Sequence, residues 1–108
     1  MEPSFTTRAE SSGNSVVVHV TGEVDLTNAG RLRDDMSQLL GRAPNVVLDL
    51  TEVAFIDSAG LGALLATRRA IFEQGGSLAI RSSRPVRQVL EVTGLAGLFV
   101  EAAQDARL

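Results

Sequence analysis

The sequence predicts an α/β domain in which a small mixed, largely parallel β-sheet carries helices packed on it. Short segments rich in Val, Ile and Leu alternate with longer segments of helical period, which is typical of such sheets. Two of these segments, Val16–Val20 and Val46–Leu50, are too continuously apolar for a strand with one wet face. The predicted order is β-β-α-β-α-β-α followed by a terminal element.

Size and composition indicate one domain over residues 1–108. The chain is 44% hydrophobic, and a domain of this length buries roughly two-thirds of its unfolded surface. It has no cysteine, which excludes disulfides and thiolate metal sites, and no apolar run near the ~20 residues of a membrane span. Since the first residues also lack the form of a signal peptide, we expect a cytoplasmic protein.

The first half of the chain predicts a hairpin, a loop and a helix. Weak alternation over Phe5–Glu10 indicates an edge strand, and the turn cluster Ser11–Asn14 joins it to the strand Val16–Val20. A polar loop follows over Thr21–Asn28, with Thr27 or Asn28 as the expected helix cap. The helix ends at Gly41, before Pro44, and its predicted inward residues are Ala29, Leu32, Met36, Leu39 and Leu40.

The second half repeats the pattern. The strand Val46–Leu50 leads through a short loop into a helix that ends at Gly75-Gly76, with Leu61, Leu64, Leu65, Ile71 and Phe72 predicted inward. A strand over Ser77–Ile80 precedes a third helix, which starts at Ser82-Ser83 before Pro85, ends at Gly94 and has its apolar stripe at Val86, Val89 and Leu90. Residues Leu95–Val100 are expected to pack or pair, and Glu101–Leu108 to form a polar tail.

The start of the second helix is the strongest candidate for a functional site. Asp57 and Ser58 are both preferred N-cap residues, so one of them should receive the first free N–H groups of that helix. In either case the Ser58 hydroxyl should lie at the surface, in the field of the helix N-terminus. Gly60 and Gly62 remove bulk beside it, which would let another protein's backbone approach.

Asp25 is expected to join this site. It precedes the first helix as Asp57 precedes the second, and adjacent parallel strands bring such loops to one edge of a sheet. Each aspartate is also expected to fix its own turn by bonding nearby N–H groups. Asp49 lies within a strand and is interpreted as a hydrogen-bonding residue between elements.

Other chemistries find little support. The single histidine, His19, sits in the most apolar strand and is interpreted as structural or edge-facing, and Ser58 is not in a G-x-S-x-G elbow. Without lysine there is no phosphate loop of the G-x-x-x-x-G-K-[ST] type. We therefore expect no enzyme and no cofactor. The dispersed carboxylates are interpreted as capping or solvated groups and not as a metal site; they are Glu23, Asp25, Asp49 and Asp57.

Nucleic-acid binding is also not expected. The chain carries a net charge of −3, whereas such a footprint needs a clustered basic face. The nearest approach to a basic patch is formed by Arg81, Arg84 and Arg87, interpreted as a solvated loop and helix face.

Three blocks of sequence resemble the STAS domain of bacterial anti-sigma factor antagonists. They are Gly22-Glu23-Val24-Asp25, Val47-Leu48-Asp49-Leu50 and Asp57-Ser58-Ala59-Gly60-Leu61-Gly62, and the match runs from about Val16 to Phe99. The resemblance implies that the unphosphorylated chain binds an anti-sigma factor that is also a serine kinase, which frees a sigma factor for transcription. That kinase would inactivate the chain by phosphorylating Ser58, and a separate serine phosphatase would restore it.

The resemblance also implies a contact surface. Its residues are Asp25, Thr27, Asn28, Asp57, Ser58, Gly60, Leu61 and Gly62. Many relatives carry a second Ser or Thr where this chain has Ala59, so Ser58 is the only hydroxyl in that loop. The chain is expected to be a monomer or a weak dimer. Two alternatives remain open: a STAS subunit of a lipid-transport or stressosome-like assembly that is not phosphorylated, and a small nucleotide-binding domain or enzyme.

Overall fold

Five strands form one sheet in the order β1-β2-β3-β4-β5, with β1 antiparallel to β2 and the other neighbours parallel. The structure is a computed structural model and describes residues 5–39 and 44–102. The predicted fold class and element order are confirmed. The elements are β1 (Thr6–Ser12), β2 (Ser15–Val24), α1 (Ala29–Leu39), β3 (Asn45–Ile56), α2 (Ser58–Glu73), β4 (Ser77–Ser82), α3 (Arg84–Val92), a 3-10 helix (Ala96–Leu98) and β5 (Val100–Glu101).

The first two strands form the predicted hairpin. β1 pairs with β2 from Thr6 opposite Thr21 to Ser12 opposite Ser15. Gly13 in the connecting turn has φ +62°, a left-handed conformation that glycine adopts without strain.

The two central strands are longer than predicted. The segment from Thr21 to Val24 was expected to be a loop, but it continues β2, and β3 runs six residues past Leu50 to Ile56. Val24 pairs with Ile56 at the end of both strands, after register shifts between His19 and Thr21 and between Gly22 and Glu23. Along Thr21–Val24 partly exposed residues alternate with buried ones, so this part of β2 is a strand with one covered face.

α1 and α2 lie against each other and contribute to one hydrophobic core with the sheet. In α1 the predicted inward residues Ala29, Leu32, Met36 and Leu39 are buried. Leu40 and the proposed terminator Gly41 lie outside the described residues. Within the described part of the chain, no helix has the length and apolar character needed to cross a membrane.

The inward face of α2 is largely as predicted. Leu61, Leu64 and Ile71 are buried, and Leu65 is partly buried against the core. Phe72 was predicted inward, and this is wrong: it is 46% exposed, under the Arg68 guanidinium at 4.5 Å from the ring centroid. Phe72 follows the buried Ile71 directly and is therefore turned about 100° around the helix from it, which places it at the border of the buried face.

Ser83 is the N-cap of α3, in agreement with the helix start predicted at Ser82-Ser83. The Ser83 hydroxyl accepts the Val86 N–H at 3.3 Å and donates to the carbonyl of Val53 at 2.6 Å, which ties the helix start to β3. Val86 and Leu90 are buried. After the turn at Gly94, the segment forms the 3-10 helix and β5, so Glu101 belongs to a strand and not to a tail. The rest of the predicted tail, 103–108, lies outside the described residues.

Candidate functional site

A single residue joins β3 to α2. Ile56 ends the strand, Asp57 is the N-cap with extended backbone, and Ser58 is the first residue of the helix. Asp57 Oδ1 accepts the N–H of Gly60 at 2.9 Å, so of the two predicted caps it is Asp57 that performs the role. The loop expected before this helix is thus one residue long, and Phe55 and Ile56 belong to the strand. The Ser58 side chain is exposed.

The loops containing Asp25 and Asp57 meet at this edge of the sheet, as adjacent parallel strands lead one to expect. The second oxygen of Asp57, Oδ2, accepts the N–H of Leu26 at 3.2 Å. The N–H of Asp57 itself bonds the carbonyl of Val24 at 3.2 Å. One carboxylate therefore caps α2 and fastens the β2–α1 loop beside Ser58.

The β2–α1 loop, residues 25–28, is held by its own side chains. Asp25 Oδ1 accepts both the N–H of Thr27 at 3.0 Å and the Thr27 hydroxyl at 2.6 Å, as in an Asx turn. Asn28 accepts the N–H of Asp25 at 3.0 Å and donates to the carbonyl of Glu23 at 2.8 Å. These hydrogen bonds join the Thr27 and Asn28 side chains to the loop itself and to the end of β2. Contrary to the prediction, neither side chain caps α1.

Two residues predicted for the contact surface are buried. Gly60 packs so closely that an added Cβ would lie 2.6 Å from the carbonyl oxygen of Val24, and Leu61 belongs to the core with 8% exposure. Because Gly60 has no side chain, α2 can pack closely against the ends of the strands. The space at Gly60 is therefore filled by the chain itself and not, as expected, by a partner. Gly62 is different, because a Cβ there would meet only the Arg33 guanidinium, at 3.9 Å.

Leu26 was not singled out from the sequence, yet it is the most exposed large hydrophobic residue at this edge of the sheet. Its side chain is 79% exposed, at the tip of the loop whose backbone Asp57 holds. The signal available in the sequence was an apolar residue inside a stretch of turn-forming polar ones.

His19 belongs to a polar network that runs across four strands, away from Ser58. The register aligns Arg8, His19, Asp49 and Arg81 in one row on the sheet face opposite Val18. His19 Nδ1 lies 3.0 Å from Asp49 Oδ2, and Nε2 lies 2.6 Å from a carboxylate oxygen of Glu10. Ionised carboxylates only accept hydrogen bonds, so each of these contacts is a hydrogen bond when the ring nitrogen in it carries a proton.

The network also lowers the pKa of its carboxyl groups. The hydrogen bond from His19 holds the pKa of Glu10 below its ordinary value, with Arg8 assisting. Burial raises the pKa of Asp49, but hydrogen bonds from the Thr51 hydroxyl and N–H and from His19 outweigh it and lower the pKa. The interpretation of His19 and Asp49 as structural residues agrees with this geometry, since His19 lies five residues, roughly 16 Å, before the end of β2.

Of the three arginines named above, Arg81 and Arg87 pair with carboxylates. Arg81 was expected in a loop but lies in β4, with its side chain 13% exposed and its guanidinium 3.7 Å from Asp49. Arg87 pairs with Glu91 and Glu101 at 3.6 and 3.8 Å. Over residues 5–39 and 44–102, the structure holds no group of three or more His, Cys, Asp or Glu side chains placed to bind a metal ion.

A family model described as "Mlab, STAS domain" matches residues 7–101. The chain belongs to the STAS domain family.

Several curated relatives and solved structures similar to this chain are named anti-sigma factor antagonists. The anti-sigma-B factor antagonist of Bacillus subtilis is 31% identical over 93 residues, covering 85% of each chain. The anti-sigma F factor antagonist of Paenibacillus polymyxa is 31% identical over 83 residues, covering 74% of this chain and 71% of the relative. Among solved structures, an anti-sigma factor antagonist from Mycobacterium paratuberculosis superposes with a TM-score of 0.80 at 30% identity, covering 94% of this chain and 89% of that one.

Proposed function

We propose that this protein is an anti-sigma factor antagonist switched by phosphorylation of Ser58. Unphosphorylated, it binds an anti-sigma factor that is also a serine kinase and thereby frees a sigma factor for transcription. The kinase inactivates it by phosphorylating Ser58, and a serine phosphatase reverses this. The observation that carries the proposal is the position of Ser58: an exposed hydroxyl at the first residue of α2, beside the fastened β2–α1 loop, in a chain whose relatives are anti-sigma factor antagonists.

The position of Ser58 suits a phosphate that leaves the fold intact. A phosphoryl group adds almost two negative charges, and the free N–H groups at a helix N-terminus accommodate such an anion. The side chain already lies in solvent, so the modification displaces no core residue. The phosphorylated chain should therefore stay folded.

The same charge opposes partner binding. Asp57 precedes Ser58 and both of its oxygens already accept N–H groups, so it cannot easily turn away from the phosphate. In the free chain water screens this repulsion to roughly 1 kcal/mol, but a partner that covers both groups and excludes water raises it toward about 4 kcal/mol, and this increase opposes binding. A hundredfold loss of affinity requires about 2.7 kcal/mol, and bulk and desolvation of the dianion add to the repulsion. Binding can thus be lost without a conformational change.

The contact surface proposed around Ser58 consists of exposed or half-exposed residues. From the sequence prediction it keeps Asp25, Thr27, Asn28, Asp57, Ser58 and Gly62, and the buried Gly60 and Leu61 support it from beneath.

The test is phosphorylation by purified candidate anti-sigma factor kinases with ATP, read by intact mass and peptide mapping. We expect one phosphate, on Ser58, with none on the Ser58→Ala variant. Ser83 provides an internal comparison, because it also lies at the start of a helix but its hydroxyl donates to the carbonyl of Val53.

Binding is measured in parallel. Ser58→Ala should bind the kinase constitutively, and Ser58→Asp and the phosphorylated chain should bind at least a hundredfold more weakly. Equal binding by the phosphorylated and unphosphorylated chains would refute the switch. Phosphate-free Ser58 together with stable co-purification of transporter subunits would favour the alternative, a STAS subunit of a transport assembly.

A further inference from the structure

We propose that Leu26 is the apolar anchor of the kinase contact and inserts into an apolar pocket of the anti-sigma factor kinase, beside the site that takes Ser58. The inference rests on the proposed function and adds a residue that neither the sequence prediction nor the comparisons assign.

Exposure alone does not make a binding residue, since isolated apolar side chains are common on protein surfaces. Leu26 differs in how it is held. Its N–H is bound by Asp57 Oδ2, the carboxylate that also caps the helix of Ser58. The leucine and the serine are therefore positioned by one side chain, and a protein that reaches Ser58 meets Leu26 on the adjoining loop.

The loop presents Leu26 in a fixed conformation. On either side of it, Asp25 bonds Thr27 twice, and Asn28 bonds the backbone of Asp25 and Glu23. Because these bonds already hold the backbone, a partner that covers the 79% exposed side chain restricts only the rotamers of the leucine.

The neighbouring polar groups have already used much of their hydrogen-bonding capacity. Asp57 accepts with both oxygens, Asn28 both accepts and donates, and one oxygen of Asp25 accepts two bonds. Further bonds from a partner must use the acceptor sites that these groups have left. Burial of the apolar surface of Leu26 displaces no bond inside the chain, so it adds affinity to whatever polar contacts a partner makes here.

The experiment uses the kinase that phosphorylates the wild-type chain and compares Leu26→Ser with Val92→Ser. Val92 is a matched control because it is also apolar and 88% exposed. It is the last residue of α3, about 13 Å along the helix from the N-cap Ser83. We expect Leu26→Ser to weaken binding about 10- to 50-fold, the loss of most of one leucine's burial. Phosphorylation should show a raised KM with kcat within about twofold, whereas Val92→Ser should change neither.

The outcomes separate this inference from the proposed function. Tight binding by Leu26→Ser to a kinase that phosphorylates Ser58 would overturn the anchor and leave the switch standing, as would an equal loss in Val92→Ser. If no kinase binds or phosphorylates the wild-type chain, both proposals fail. Leu26→Met retains apolar bulk and should bind as tightly as wild type.

Circular dichroism and urea unfolding of each variant test for a folding defect. None is expected, because the substituted side chains are exposed.

Discussion

Replacing Gly60 with alanine tests how tightly α2 is seated on the sheet. The added Cβ would lie 2.6 Å from the carbonyl oxygen of Val24 and 2.7 Å from Cγ1 of Ile56. The Ile56 contact can relax by side-chain rotation, but the Val24 carbonyl is backbone and accepts the N–H of Asp57. To admit the methyl group, the first turn of α2 must move away from the strand ends.

The expected cost follows from two opposing effects. Overpacking of this kind costs about 1–3 kcal/mol or somewhat more, while glycine to alanine in a helix gains about 0.5–1 kcal/mol. We expect Gly60→Ala to lower the free energy of unfolding by up to about 2.5 kcal/mol, and to be less stable than Gly62→Ala by about 1–3 kcal/mol. Gly62→Ala is the matched control: its Cβ meets only an ordinary contact at 3.9 Å, so the helical gain should remain and the variant should be about 0.5–1 kcal/mol more stable than wild type.

Urea and thermal unfolding, both followed by circular dichroism, measure the free energy of unfolding and the Tm of each variant. For a domain of this size, 1 kcal/mol corresponds to about 4–8 °C in Tm, so the two should be separated clearly. A Gly60→Ala variant as stable as Gly62→Ala would refute the reasoning, because it would mean that the close approach to Val24 imposes no constraint.

Two further predictions concern carboxylates. Asp57→Ala should lower the free energy of unfolding by about 1–2 kcal/mol through the lost cap, and Asp57→Ser should lower it less because serine can still cap. In both variants hydrogen exchange of the Leu26 amide should accelerate. Unchanged exchange would contradict the bond from that amide to Asp57. Because the pKa of Asp49 is lowered from its ordinary 3.8, its stabilising contribution is complete above that pH and is lost as the pH falls through the lower folded value. Urea midpoints should therefore fall more steeply below about pH 4 for wild type than for Asp49→Asn, and parallel curves would argue against this linkage.

The sequence predicted the element order and most inward residues because hydrophobic period and turn residues are local signals. It did not predict the extension of β2, since Thr21 and Glu23 look like loop residues until pairing with β3 covers one side of them. The burial of Gly60 likewise depends on Val24, which is distant in the chain.

The site was predicted in part for the same reason. Asp57 and Ser58 could be placed at a helix start from residue type, and the meeting of their loop with Asp25 from parallel topology. The bond that holds the backbone of Leu26 arises only when two loops are folded together, and no local pattern encodes that bond.

The one-residue joint at Asp57 has a mechanical consequence. Only Asp57 separates Ile56 and the first turn of α2, and both Ile56 and Leu61 are anchored in the core, so Ser58 can move little without disturbing close-packed residues. A kinase that acts on Ser58, as proposed above, would therefore have to adjust its own shape to this template.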